Sequence, residues 1–339
     1  MAWPDAREMG GSRQRSGGSL ARGAASLMIP SQLVRRYAHN QQVGLDVADQ
    51  EIVLHYALGL LNKAQLMGRQ EDGSVGPLLF KGGTALRKCM FGSEGRFSQD
   101  IDLDAPYKNG FEAAAEAAFV DRSPFHGITF SIVKSRWSED GDENFSGIVE
   151  YDHAGGSGRF ELQISYRLNP VLAARDLALV AQEYFSRVEF AAPTLHGLDP
   201  YEMIGEKIMA CNRRQGGSAK DIYDLYLWSA KPFDAQLVRR VAVLKAWTDQ
   251  RRSRPYDAEA LLAAMVPGNF RWSDLNGLVP RKQHSDRDRI CRQARERFAT
   301  LTDLTEDEQA LLADQTSHRE EALFKTLVVE AREMRQKLG

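Results

Sequence analysis

One stretch of the chain, residues 78–104, constrains the fold more than any other and reads LLFKGGTALRKCMFGSEGRFSQDIDLD. A short apolar run leads into the Lys81–Thr84 glycine turn, and a pair of acids follows about sixteen residues later. Strand side chains alternate between faces, so Asp100 and Asp102 project together while Ile101 points into a core. A turn that can approach phosphates, near acids that can hold Mg²⁺, predicts a nucleotidyl-transfer site.

The glycine turn is not a Walker P-loop, because that motif places its lysine after the glycines and here Lys81 precedes them. Backbone amides at the start of the following helix attract phosphate, and the Thr84 hydroxyl can donate to it. The alternative is a tight left-handed turn without a ligand.

The acidic segment resembles the opening of an EF-hand loop through Asp100, Asp102 and Asp104. That interpretation fails because Ala105 replaces the glycine and Phe111 the glutamate that the loop requires. A solvated edge strand is the alternative, yet three aligned acids repel each other without a cation. Mg²⁺ is the favoured ion, since it is commonly shared between carboxylates and substrate phosphates.

Length and composition indicate a globular protein of two domains. The chain has 339 residues, of which 43% are hydrophobic and 27% charged. No run of apolar residues is long enough for a membrane span. Three widely separated cysteines, without a CxxC pair, fit a reducing compartment, and we expect a cytoplasmic protein.

The pattern along the chain predicts three segments. Residues 1–27 interleave Gly, Ser and Arg and are predicted to be a disordered tail. Residues 28–168 combine a long amphipathic helix with short alternating strands, including RFELQISYR after a glycine-rich hairpin turn. Residues 169–339 are mostly helical, with boundaries at prolines. The second domain is expected to complete the active site.

A second polar cluster lies in the helical half. Asp199 and Pro200 start a helix that carries Lys207, and a following helix carries Lys220 and Asp221. A surface salt bridge is the plain interpretation of such lysines. Near transferring phosphates, a lysine instead offsets the charge that builds on the leaving pyrophosphate.

Together these segments resemble the AbiEii/AbiGii nucleotidyltransferase toxins, which include MenT-like proteins of type IV toxin–antitoxin and phage-defence systems. The resemblance rests on KGGTALRK at 81–88, RFSQDIDLD at 96–104, and EKIMACNRR followed by AKDIYDLY within 206–226. It implies an α+β fold: a DNA polymerase β-type domain with a mixed β-sheet, followed by a mainly α-helical domain.

The resemblance also implies roles for individual residues. Lys81, Gly82, Gly83 and Thr84 would form the nucleotide-binding turn, with Gly83 and Thr84 holding the triphosphate. Asp100 and Asp102 would ligate Mg²⁺, with Arg96 and Ser98 shaping the preceding loop. Lys207 and Lys220 would contact phosphates, while Asp221 would orient Lys220 or act directly in catalysis.

One position stays open. The superfamily generally has a third acid on a later strand, and the polar face of RFELQISYR offers both Glu161 and Gln163. Glu161 would complete the triad, whereas Gln163 would require a variant mechanism with one metal or with another base such as Asp221.

The resulting hypothesis is an Mg²⁺-dependent toxin that transfers a nucleotide from NTP, most plausibly to the 3′ end of tRNA, and so blocks translation. A cognate antitoxin encoded nearby is implied by the resemblance. Two alternatives stay open: transfer to a protein or small-molecule hydroxyl, and a catalytically silent nucleotide-binding regulatory protein.

Overall fold

The computed structural model describes residues 29–120, 124–137, 143–166, 170–188, 190, 192–213, 217–249, 255–283 and 286–339. The predicted tail 1–27 and the predicted domain boundary at 168/169 lie outside these residues. The division of the chain into domains therefore stays a prediction.

A seven-stranded mixed sheet forms one half of the molecule, with strand order β3-β4-β5-β2-β1-β7-β6. Its strands are β1 (Leu79–Lys81), β2 (Asp100–Asp104), β3 (Thr129–Trp137), β4 (Asn144–His153), β5 (Gly156–Ser165), β6 (Arg175–Leu177) and β7 (Leu195–Gly197). The predicted glycine-rich hairpin is confirmed, because β4 and β5 pair antiparallel from His153↔Gly156 to Asn144↔Ser165. The two last strands come from beyond residue 168, so the sheet draws on both predicted segments.

The centre of the sheet is built from strands distant in sequence. β2 pairs parallel with β5 and antiparallel with β1, and β1 pairs parallel with β7. Ile101 and Leu103 of β2 and Leu162 and Ile164 of β5 are all fully buried on one face. Burial of this face fixes the register, because a slip of one residue would move the apolar set to the other side.

Eleven helices belong to the described residues. They are α1 (Ser31–Gln41), α2 (Leu45–Lys63), α3 (Gly82–Leu86), α4 (Phe111–Val120), α5 (Pro200–Arg213), α6 (Ala219–Ser229), α7 (Ala235–Thr248), α8 (Ala258–Ala264), α9 (Arg287–Arg297), α10 (Glu306–Ala313) and α11 (Glu321–Lys337). None of them is long and apolar enough to cross a membrane.

Local sequence signals explain the helices that bear the site. α5 begins at Pro200 as predicted, because proline fits the first turn of a helix. Ser218 caps α6 by accepting from the Lys220 backbone N–H, and Asp234 caps α7 in the same way from Leu237. The α+β architecture predicted from the sequence is confirmed, and α6 and α7 both pack against α5.

Candidate active site

The glycine turn lies directly against the acidic strand. Gly82 has φ +77°, and a Cβ there would lie 2.0 Å from the Asp102 Oδ2 atom. A Cβ on Gly83 would lie 2.4 Å from Nη2 of Arg96. Both positions therefore require glycine: the first because of its backbone conformation and its lack of space, the second because of space alone.

Thr84 joins the turn to the acidic strand. Its hydroxyl donates to the backbone carbonyl of Asp100, and its side chain is buried. The hydroxyl that the family resemblance assigns to the triphosphate is thus engaged by the backbone in this structure. Gly82 is the glycine of the turn that faces the neighbouring pocket.

The register between β2 and β5 places the acids of both strands on one face of the sheet. Asp100 is opposite Glu161, and Asp102 is opposite Gln163. Paired residues on neighbouring strands share a face, so both candidates for the third acid point to the same side. Glu161 lies beside Asp100, and Gln163 lies beside Asp102.

Burial and mutual repulsion act on the acids of β2. Burial raises the pKa of Asp100, as does the negative charge of Glu161, while Lys220 opposes the shift. Burial, with a contribution from Asp100, raises the pKa of Asp102 to about 6. The pair therefore carries negative charge that is poorly solvated, which a nearby cation would stabilise.

The helical half supplies a buried ionic group, here called the site cluster, formed by Arg96, Lys207, Asp221 and Asp224. Arg96 donates to Asp224 through two nitrogens, at 2.9 and 2.8 Å. Lys207 Nζ lies 2.9 Å from Asp221 Oδ1 and 3.1 Å from Asp224 Oδ2. Lys207 is therefore one partner of Asp221, and the role that the resemblance gives to Asp221, orienting Lys220 or acting directly in catalysis, stays a prediction.

Lys220 acts on Asp100 from the first turn of α6. Its positive charge opposes the rise that burial causes in the pKa of Asp100. Its position places a cation beside Asp100, and Lys207 is held by the carboxylates of α6. Ser98 is buried in the segment leading into β2, like Arg96. Arg96 and Ser98 are therefore both buried, and their predicted role in shaping the loop stays a prediction.

A deeper set of charges lies behind the glycine turn. Lys81 Nζ lies 3.5 Å from Asp104 and 4.0 Å from Glu206. Lys245 Nζ on α7 lies 2.6 Å from Glu202 and 3.5 Å from Glu206. Lys245 was not predicted from the sequence, although a single lysine within the apolar run VAVLKAW is an available signal.

A pocket of about 420 Å³ opens between the sheet and the helices. Its sheet side includes Gly82, Asp102 and Gln163, and its helical side includes Lys207 and Lys245. Asp100, Glu161 and Lys220 do not line it. The acid pair therefore stands at a border, with the pocket on the Asp102 side and Lys220 on the Asp100 side.

Comparison with known proteins identifies the family. Residues 65–328 match the family described as "Nucleotidyl transferase AbiEii toxin, Type IV TA system". The chain belongs to the AbiEii nucleotidyltransferase toxin family. The predicted family and enzyme class are confirmed. An AbiEii toxin of a type IV system implies an NTP substrate and an antitoxin partner.

One solved structure agrees with this AbiEii assignment. MenT4, the nucleotidyltransferase toxin Rv2826c from Mycobacterium tuberculosis H37Rv, has a TM-score of 0.75 at 29% identity, covering 90% of this chain and 99% of that one. JHP933 from Helicobacter pylori has a TM-score of 0.45 at 17% identity, covering 83% and 99%. No curated protein matches the chain.

Nucleotidyltransferases such as AbiEii toxins generally use divalent metal ions, and the acids of β2 fit this requirement. Within the described part of the chain, no group of three His, Cys, Asp or Glu side chains has a geometry suited to a metal ion. Two adjacent carboxylates are nevertheless sufficient for Mg²⁺, which usually keeps water and binds substrate phosphates as well. Asp100 and Asp102 form such a pair on one strand face.

Proposed function

We propose that this AbiEii toxin is an Mg²⁺-dependent enzyme of the cytoplasm that transfers a nucleotide from NTP to the 3′ end of tRNA and thereby blocks translation. The observation that carries the proposal is the position of the acid pair. Asp102 lines a pocket large enough for a nucleotide, whereas Asp100, on the same strand face, lies outside its lining and is influenced by Lys220. A nucleotide and an acceptor can thus meet at the acids from opposite sides.

The pocket provides the nucleotide side of the reaction. Lys81, Lys207 and Lys245 surround it, and Gly82 offers backbone close to Asp102. These cations stabilise the negative charge that develops on the leaving pyrophosphate. Gly83 and Thr84 hold the turn in place through their contacts with Arg96 and the Asp100 backbone.

Asp100 and Asp102 would hold the Mg²⁺ ion. When bound, Mg²⁺ supplies charge neutralisation to the phosphates and orients the nucleotide against the acceptor. The two carboxylates are fixed by strand pairing on both sides of β2, so their separation does not depend on a mobile loop. This rigidity favours a preorganised site.

Glu161 is our choice for the third acid, because its register places it beside Asp100 on the side away from the pocket. The acceptor hydroxyl oxygen forms a bond to the α-phosphorus while the bond to the bridging oxygen breaks. Pyrophosphate leaves with that electron pair, and the hydroxyl proton passes to Glu161. Asp221 holds Lys207 in position by accepting a hydrogen bond from its ammonium group.

The test offers the purified protein each labelled NTP with Mg²⁺ and with tRNA, a protein extract or small metabolites. Label in the tRNA band is the expected outcome, and label only in protein or in a small product would exclude tRNA as acceptor. Asp102→Asn should abolish both transfer and growth inhibition, because the ligand charge is lost with the shape retained. Thermal melting checks that the variant folds. Full toxicity of a folded Asp102→Asn protein would exclude the catalytic role.

A further inference from the structure

We propose that the single-stranded 3′ end of the acceptor RNA docks on a surface formed by Lys220, Phe270, Arg271, Trp272 and Arg287, here called the acceptor face. The inference rests on the proposed function and adds where its second substrate binds.

The direction of attack follows from the borderline position of the acids. In phosphoryl transfer the attacking and leaving oxygens lie roughly in line across the phosphorus atom. The cationic pocket on the Asp102 side is suited to the leaving pyrophosphate. The acceptor hydroxyl must then arrive from the opposite side, and Asp100, Glu161 and Lys220, which lie outside the pocket lining, are the charged groups left to receive it.

Residues 266–283, between α8 and α9, are joined by backbone contacts to the two segments that lead to Lys220 and Asp100. The Arg271 backbone N–H donates to Gly217 at 3.1 Å, and Arg271 also pairs with Ser218, the cap of the helix that bears Lys220. At the other end of the loop, Leu278 accepts from the backbone N–H of Phe97, three residues before Asp100. The loop is therefore fixed to both segments that lead into the acceptor side.

The side chains on this loop have the chemistry that single-stranded RNA requires. The Arg271 side chain is 68% exposed and can contact a phosphate, although Asp274 lies 3.6 Å away. The Trp272 ring is held by a bond from its N–H to the Pro267 carbonyl at 2.8 Å. Fixed aromatic rings and arginine planes stack unpaired bases irrespective of sequence.

Neighbouring charge extends the same surface. The Arg287 guanidinium lies 5.5 Å from the centre of the Trp272 ring, and Phe270 packs edge-on to that ring at 6.3 Å. Arg287 begins α9, whose eleven residues contain five arginines and two carboxylates. α9 therefore adds an excess of positive charge beside Trp272, which suits a phosphate backbone.

The experiment measures transfer of labelled nucleotide to tRNA by Arg271→Ala and Trp272→Ala, over a range of salt and tRNA concentrations. Each variant should raise the KM for tRNA about tenfold while the KM for NTP stays unchanged. Arg271→Ala should also lower the slope of log affinity against log salt by about one, since one phosphate contact is lost. Trp272→Phe should retain most of the affinity because it keeps a stacking ring.

Arg36→Ala is the matched control. Its side chain is 67% exposed and, like Arg271, lies near a carboxylate, but it belongs to α1 and contacts Glu183. It should leave both KM values and the salt slope unchanged. If the wild-type protein labels tRNA but the acceptor-face variants behave like Arg36→Ala, the acceptor face is wrong and the proposed function stands. If the wild-type protein labels no RNA, the proposed function itself fails.

Discussion

Two buried ionic groups flank the glycine turn, and they differ in their access to solvent. The core cluster consists of Glu51, Arg87 and Lys88, with Glu51 3.2 Å from Arg87 Nε and 3.0 Å from Lys88 Nζ. The site cluster joins Arg96 and Lys207 to the carboxylates of α6 at similar distances. Both therefore pair cations with carboxylates in the interior.

Access to solvent separates the two clusters. Every side chain of the core cluster is at most 2% exposed, whereas Lys207 and Asp221 are 14% and 11% exposed and line the pocket. Burial opposes ionisation of Glu51, but Lys88 and Arg87 hold the pKa of its carboxyl below the ordinary value. Ion pairs that are closed off from solvent, as in the core cluster, therefore support the fold. Ion pairs that border the pocket, as in the site cluster, are available to a ligand.

The largest effect is expected from Glu51→Gln. This change leaves Arg87 and Lys88 buried without a carboxylate, and breaking a buried pair in this way costs about 3–5 kcal/mol. Urea denaturation should show this loss in the free energy of unfolding. Nucleotide transfer by the folded fraction should be unchanged.

The control for that variant is Glu183→Gln, which removes the carboxylate from an exposed pair with Arg36. Exposed pairs contribute at most about 1 kcal/mol, so this variant should unfold near the wild-type midpoint. Equal losses in the two variants would show that burial does not distinguish the core cluster.

Arg96→Lys tests whether the site cluster affects catalysis. Lysine keeps the charge but loses the two-point contact with Asp224, so Asp224 and its partner Lys207 are no longer fixed. We expect kcat to fall roughly 100-fold, about 2.7 kcal/mol, with little change in KM for NTP. Steady-state kinetics measures kcat and the KM for NTP, and the melting temperature checks that the variant is folded.

Arg239→Lys is the matched variant for this prediction. Arg239 is also buried and pairs with Glu308 at 2.8 Å, away from the pocket. It should lose comparable stability and keep its kcat. A 100-fold loss in both variants would mean that Arg96 acts through stability alone.

His55 gives a smaller, pH-dependent effect beside the core cluster. Its ring lies against Phe185 and Phe190 at 4.6 and 5.3 Å, and burial, together with Lys88, lowers its pKa to about 3. The unfolded chain binds this proton near pH 6.5, so stability is full above that pH and falls as the pH drops towards 3. Between pH 7 and pH 5 the loss from this group is about 2 kcal/mol.

His55→Phe should remove that loss while keeping an aromatic ring in place. The difference between its unfolding free energies at pH 7 and pH 5 should be about 2 kcal/mol smaller than in the wild-type protein. Denaturation curves at the two pH values measure it. An unchanged pH dependence would show that the pKa of His55 is not lowered in the folded protein.

Local patterns predicted much of this molecule. The alternating segment RFELQISYR was predicted to be a strand, and its residues up to Ser165 belong to β5. The helix predicted after Asp199 begins at Pro200. Both depend on near neighbours in the sequence: alternation for the strand, and proline with a capping acid for the helix. The order of the glycine turn and the acid pair was likewise visible in one segment.

Partners distant in sequence could not be predicted. Lys245 joins the site through Glu202 and Glu206, and no local pattern determines that α7 packs on α5. Lys88 belongs to the same motif as Lys81 but points into the core cluster. The π-helical turn at Arg87–Phe91 shifts the helical phase there, so a period of 3.6 residues cannot assign its faces.

The parallel pairing of β2 with β5 has a consequence for how the protein is made. The acids of β2 gain Glu161 only when residues up to Ser165 are present, and three further lysines come later, on α5, α6 and α7, the last of which ends at Thr248. A chain still growing on the ribosome, or one released before α7 is made, has Lys81 and Arg96 but lacks Lys245. A cell that synthesises this toxin therefore meets the complete set of charges only after α7 has been made.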